Sequence, residues 1–363
     1  MRTPLCDLTG VRHPVVQTGM GWVAGPSLVS ATARAGGLGI LASATMTLPQ
    51  LADAVREVKE RTSNPFGVNL RADASDAEER VDLLIREQVR VASFALAPSQ
   101  RLIGKLKDAG VVVIPSIGAR RHAEKVAAWG ADAVLVQGGE GGGHTGSVAT
   151  TLLLPQVVDA VDIPVVAAGG FFDGRGLAAA LCYGAAGIAM GTRFLLTSDS
   201  RVPREVQQSY LAASVSDTVV TSQVDGLPHR MLRTALTDAA ESRGLLRRLP
   251  DALRQAVAFK ALTGMSWRQL ITDGLAMRRA QQLPLSRVLL AANTPMLIRS
   301  ALVDGRPGAG VLPAGQVVGM IDELPSCEEL IDRVVTEAAS RLAELGGDRQ
   351  RITPAGRSPR RGS

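Results

Sequence analysis

Short, almost uninterrupted apolar runs recur along the first half of the chain, separated by longer segments in which apolar positions follow a helical period. The runs occupy residues 14–17, 38–41, 66–70, 91–95, 111–114, 133–137, 164–168 and 187–190, and their starts lie 20 to 31 residues apart. Most show no polar/apolar alternation, the pattern of strands covered on both faces in a parallel sheet. Between two of them, Leu51, Val55 and Val58 share one helical face, opposite Asp53, Arg56, Lys59 and Glu60. Thr47-x-x-Gln50 and Ser75-x-x-Glu78 have the spacing of capping boxes, and each is predicted to open a helix. Eight strand-plus-helix units in roughly 200 residues predict an α/β fold, a (β/α)8 TIM barrel. A doubly wound sheet would share the alternation and is the weaker alternative.

After Phe194 the rhythm stops. Residues 200–310 read as a mostly helical insertion, a lid, with one strand-like piece at 218–224. An apolar run at 317–321 and an amphipathic helix at 326–342 then resume the barrel pattern. The expected organisation is barrel strands over 1–199, a basic helical lid over 200–310, a closing barrel segment over 311–345 and a disordered Gly/Arg/Ser/Pro-rich tail over 346–363. The uncharged stretch 176–192 is broken by Gly184 and Gly187, so it reads as a buried helix and a strand, not a membrane span. Residues 1–14 carry no apolar run of the signal-peptide kind.

Composition narrows the partners. The net charge of +6 is unevenly placed. Residues 201–310 hold 15 Lys/Arg against 8 Asp/Glu, and the tail from Asp348 holds 5 Arg against 1 Asp, which leaves the remainder acidic. A basic module on an acidic body suits an anionic small molecule. Nucleic acid is disfavoured, because aromatics for base stacking make up only 3% of the chain. Cys6, Cys182 and Cys327 lie far apart without a Cys-x-x-Cys, against a disulfide framework and a zinc site; a reducing cytoplasm is the expected setting. No spacing of His or carboxylates suggests a metal site, and no Gly-x-Ser-x-Gly a serine hydrolase.

In a barrel, chemistry sits at the C-terminal strand ends, with phosphate held after strands seven and eight. Here Ala168-Gly169-Gly170 ends the seventh run, Asp173-Gly174-Arg175-Gly176 opens the next helix, and Met190-Gly191-Thr192 ends the eighth. Glycines at those points let backbone N–H groups approach an anion. Gly174-x-Gly176-x-x-Ala179 also fits the dinucleotide fingerprint, but the acidic residue that motif needs about 20 positions on is missing. The sixth run leads into residues 138–146, where six of nine are glycine and His144 is embedded. An imidazole on a backbone-exposing loop at a strand end is placed for acid–base work or for polarising a carbonyl. His13, His122 and His229 read as surface or packing residues. Asn69 and Gln137, amides at strand ends, suit hydrogen bonds to a planar heterocycle.

Taken together, Val16-Gln17-Thr18-Gly19-Met20-Gly21-Trp22, Phe66-Gly67-Val68-Asn69, residues 137–146 and 165–175, and Met190-Gly191-Thr192-Arg193-Phe194 resemble the nitronate monooxygenase superfamily, which also contains flavin-dependent enoyl-acyl-carrier-protein reductases. The resemblance implies an FMN-dependent barrel with an added lid. It implies that Asn69, Gln137, Gly142, Gly169, Gly170, Gly191 and Thr192 hold FMN, with Met190 lining the site, the loop of Gln17, Gly19 and Met20 against the flavin, and Gln316 near the ring. By the same resemblance His144 is the catalytic histidine. Many nitronate monooxygenases carry Gln-Ala-Pro-Met where this chain has Gln17-Thr18-Gly19-Met20. With Asp225 to Arg230, that departure resembles a branch acting with NAD(H) on alicyclic, steroid-derived CoA thioesters. Such a substrate brings phosphates for Arg230, Arg233, Arg278 and Arg279, and Arg247 and Arg248 are further candidates. Homodimerisation is left open. The rival readings are nitronate oxidation by O2 and a flavin-free phosphate-binding isomerase.

Overall fold

The eight apolar runs form strands, and the sheet they build closes on itself. The structure is a computed structural model, and it describes residues 1–95, 97–224, 226–242, 257, 260 and 294–347. The barrel strands are β1 (Val15–Gln17), β2 (Leu38–Ala42), β3 (Phe66–Leu70), β4 (Val91–Phe94), β5 (Val112–Ile117), β6 (Val134–Gln137), β8 (Val165–Ala168) and β9 (Gly187–Met190), parallel throughout and in that order around the ring. The β1–β9 pair, with Val15 opposite Ile188 and Gln17 opposite Met190, seals it. The chain is a TIM barrel.

Alternation within each strand divides two layers. Val16, Leu38, Ile40, Val91, Ile114, Leu135, Val166 and Ala189 pack into one buried cluster, the lumen. Leu41, Phe66, Val68 and Leu70 face the helices in another. The helix Pro4–Thr9 adds Leu5 and Cys6 to the lumen cluster, and Thr3 Oγ1 donates to the Ala186 carbonyl at 2.6 Å just ahead of β9. That helix therefore plugs the N-terminal end and leaves the opposite end as the mouth. The helix Leu48–Arg61 opens on the capping box read from the sequence, with Gln50 N donating to Thr47 Oγ1 and Thr47 N to Gln50 Oε1.

Four local readings are corrected. The helix after β3 spans Ala77–Arg86 behind Asp76, with no side-chain cap, and the Asp76 carboxylate pairs instead with Arg80 at 2.8 Å. Residues Gln316–Met320 form a 3-10 turn, not a strand. A barrel already closed by β1 and β9 offers no edge to pair with, and a Cβ at Gly319 would lie 2.1 Å from Val215 N, so the turn is packed hard against the 214–215 loop. Two further strands, β10 (Thr218–Thr221) and β11 (His229–Leu232), join the two-residue β7 (Gly143–His144) in a second sheet of order β10-β11-β7. The Gly174-x-Gly176-x-x-Ala179 motif serves packing: a Cβ on Gly174 would lie 2.5 Å from the Val334 carbonyl of the closing helix Cys327–Gly347.

Described helices in the 200–310 segment are Arg204–Leu211, Ala235–Ser242 and Thr294–Leu302. Arg247, Arg248, Arg278, Arg279 and the tail 348–363 lie outside the described residues. Among the described residues no helix is long and apolar enough to cross a membrane.

Candidate active site

Strand register places the sequence-nominated groups on one rim. Gln17 stands opposite Met190, Ala42 opposite Asn69, Asn69 opposite Ser93, and Gln137 opposite Ala168, so all end at the mouth. On β3 the helix-facing residues are Phe66, Val68 and Leu70, which turns Asn69 inward, where Nδ2 donates to Ser93 Oγ at 3.3 Å. Gly19 lies flat against it: a Cβ there would be 2.5 Å from Asn69 Cβ. The same alternation puts Gln17 and Met190 on the outer side with Val15 and Ile188. Gln17 is fully buried, its Nε2 donating to the Thr18 and Ile40 carbonyls and its Oε1 left without a partner. What these two residues offer a ligand is therefore backbone.

After β8, Gly169 and Gly170 both take left-handed backbone, φ +89° and +87°. L-residues avoid that region, and consecutive glycines in such a turn make a concavity of backbone N–H groups suited to an anion. A Cβ on Gly170 would meet nothing closer than 3.8 Å, so the space over it is open. Gly191 follows β9 beside Thr18 and Met20, 3.2 and 3.5 Å from where its Cβ would stand. The turn at Asp173–Gly176 is excluded as part of this cradle, because Gly174 N donates to Glu337 and Gly176 N to Asp173.

The glycine loop 138–146 is tied down at every turn, contrary to the look of a mobile surface segment. Glu140, which no sequence motif singles out, accepts from Thr150 N at 2.9 Å and Thr150 Oγ1 at 2.7 Å. Thr150 Oγ1 also donates to the Gly169 carbonyl, which joins the loop to the glycine pair. Gln137 Nε2 donates to the His144 and Gly142 carbonyls, folding the loop over its own strand. Glu140's carbonyl takes Gln316 N at 3.0 Å, and Thr192 Oγ1 accepts from Gly315 N at 2.9 Å. Gln316, distant in sequence, is thereby brought to the rim.

His144 is exposed at the mouth, on a strand that pairs with β11 so that it sits opposite His229. The two rings are 4.7 Å apart, tilted by 50°, and His229 is 2% exposed. The sequence reading of His229 as a surface or packing residue does not include this contact; the usable signal is its place directly after Gly226-Leu227-Pro228, where β11 begins. Arg230, next along, commits its guanidinium inward: Nε and Nη2 donate to the Gly139 carbonyl and Nη1 to Thr218 Oγ1. Burial lowers its pKa from the usual arginine range, opposed by Glu140. Arg233 pairs with Asp238 at 2.9 Å on the surface. His13, ahead of β1, stands at the plugged end. Among the described residues no cluster of three or more His, Cys, Asp or Glu side chains could hold a metal ion.

The family profile described as nitronate monooxygenase matches residues 2–81 and 74–337. A Mycobacterium tuberculosis protein named (3aS,4S,5R,7aS)-5-hydroxy-7a-methyl-1-oxo-octahydro-1H-indene-4-carboxyl-CoA dehydrogenase is 66% identical over 345 residues, 94% of this chain and 97% of its own. A Rhodococcus jostii protein of the same name is 65% identical over 346 residues, 95% and 98% of the two chains. Among solved structures, FabK from Thermotoga maritima superposes with a TM-score of 0.78 at 33% identity, covering 96% of this chain and 99% of that one.

Proposed function

The chain belongs to the nitronate monooxygenase family, and from that premise we propose an FMN-dependent dehydrogenase that passes a hydride between an alicyclic hydroxyacyl-CoA thioester and NAD(H). The family is one of flavin-dependent oxidoreductases, and this chain is an oxidoreductase. The observation that carries the proposal is convergence: the Gly169-Gly170 turn, Gly191, inward-facing Asn69, Gln137 and exposed His144 share one rim. The residues fit the flavin. Gly169, Gly170 and Gly191 would take its phosphate on backbone N–H groups, and Asn69 and Gln137 lie where a planar ring would cover the lumen. Met20, Gly142 and Gln316 would border that ring, with Thr192 behind the phosphate.

When bound, the flavin supplies a two-electron hydride acceptor and donor. The protein's own work is orientation and proton handling. Oxidising a secondary alcohol releases a hydride from carbon and a proton from oxygen, and His144 is the group at the mouth that can take the proton. In the reverse direction it returns that proton to the forming alkoxide. Segment 200–310, as a lid, would cover the thioester and exclude water; of the arginines nominated from the sequence for its phosphates, Arg230 is committed to Gly139 and Arg233 to Asp238.

His229 acts here by bracing the His144 ring. His229→Leu, which keeps bulk and loses the planar partner, should lower kcat about tenfold, or about 1.4 kcal/mol of barrier, with bound flavin unchanged. Equal kcat in the variant would remove the brace from the mechanism. The function itself is tested by supplying hydroxyacyl-CoA and NAD+ without oxygen: NADH should form in step with the ketone. Oxygen uptake with an alkyl nitronate and no NAD(H) would instead select nitronate oxidation.

A further inference from the structure

A cavity of about 290 Å³ opens where the turn after β1 meets the turn after β2, beside the rim, with Ala42 in its wall. Trp22, Thr45, Met46, Gln50 and Arg299 line it. Three features set it apart from a packing gap. Trp22 holds φ +67°, a left-handed backbone that a bulky side chain rarely adopts; strain of this kind persists where surroundings over-determine it, and clusters at ligand clamps. The Trp22 indole N–H donates to the Pro295 carbonyl at 2.8 Å, so the turn is pinned to the start of the helix Thr294–Leu302. From that same helix, the Arg299 guanidinium lies 5.4 Å over the indole ring.

The structure assigns this cavity, we infer, to the adenine-nucleotide end of a ligand. An alicyclic acyl group needs no cation, and a lone phosphate needs no indole. A purine on a phosphate chain uses both, stacking on the aromatic face while the guanidinium takes the phosphate oxygens. The volume, just below the ~300–1,000 Å³ range of small-molecule pockets, suits one end of a longer ligand. Of the other arginines, Arg230 is turned inward onto Gly139 and Arg233 onto Asp238, whereas Arg299, which pairs through Nε with Asp304 at 3.5 Å, also faces the cavity. The inference rests on the proposed use of a CoA thioester with NAD(H), since both carry adenosine phosphates.

The test is calorimetric titration of the flavin-loaded protein with adenosine 3′,5′-bisphosphate and, separately, with ADP-ribose. At least one should bind, and Arg299→Gln should weaken it about tenfold. Arg306→Gln, at an exposed position outside the cavity, should not. Binding of the bisphosphate alone assigns the cavity to the thioester, binding of ADP-ribose alone to the dinucleotide, and binding of both to their shared end. The inference is overturned if neither binds, if Arg299→Gln binds as well as the parent, or if Arg306→Gln weakens binding equally. NADH formation from the hydroxyacyl-CoA by a protein that binds neither probe would keep the proposed function and discard this subsite. Binding without turnover would do the opposite.

Discussion

Replacing His144 with alanine should leave a folded, yellow protein whose turnover has fallen by about 10²–10⁴-fold, the usual contribution of a positioned acid–base group. The separation of binding from catalysis follows from how the ring is held. His144 contributes its carbonyl to Gln137 and its backbone to pairing with His229, and alanine preserves both. Only the imidazole is lost, from an exposed position, together with its 4.7 Å contact to the buried His229 ring. Flavin absorbance per chain and melting temperature should therefore match the parent, while the rate of hydride transfer from the thioester collapses. His13→Asn, at the plugged end, should change neither. A variant that loses flavin along with activity would reassign His144 to binding, and one with full activity would remove it from the chemistry.

The second large effect is expected at Gly142. A Cβ there would stand 2.5 Å from Gly315 N and 2.6 Å from the Ala314 carbonyl carbon, both backbone, so no side chain can swing aside. Gly142→Ala must push the glycine loop off the 314–316 segment. That strains the bonds from Gln316 N to Glu140 and from Gly315 N to Thr192. Overpacking of this kind costs about 1–3 kcal/mol, and the distorted rim should lower bound flavin and reduce turnover more than about tenfold. Its neighbours provide the contrast. At Gly143, φ is +78° with nothing within 4 Å, so alanine there costs only backbone strain, about 1–2 kcal/mol. At Gly146 a Cβ would again meet nothing within 4 Å, and alanine should be neutral. Melting temperatures and flavin content of the three variants would separate a packed loop from a merely flexible one; equal behaviour of all three would contradict the account.

Much of the barrel was legible because buried parallel strands need apolar side chains on both faces, and that demand writes itself as eight almost uninterrupted runs. The rim amides were legible for the complementary reason: Asn69 and Gln137 interrupt such runs where the sheet ends. The rest depended on pairing at a distance. β7 is Gly143 and His144 alone, a strand with no hydrophobic pattern, and it exists because β11 lies beside it. Glu140 looks like a solvated loop carboxylate until Thr150 is folded under it. The run 317–321 reads as a strand, yet a strand needs a free edge and the closed sheet has none. Gly174 imitates a nucleotide-binding glycine because close helix packing and close phosphate approach make the same demand, the absence of a Cβ.

The same geometry accounts for how one scaffold can serve different oxidations. The rim elements that would hold a flavin come from the barrel, whereas β11, Arg230 and the helix carrying Arg299 come from the 200–310 segment. Substrate choice would then be altered by changing that segment where it does not hold the glycine loop, which β11 and Arg230 tie down.

The most direct measurement is the visible spectrum of the purified protein under anaerobic mixing with a hydroxyacyl-CoA thioester, then with NAD+. The account predicts a flavin spectrum at about one per chain, bleached by the thioester and restored by NAD+. A colourless preparation that still forms NADH from the thioester, or a bound flavin that the thioester leaves fully oxidised, would contradict it.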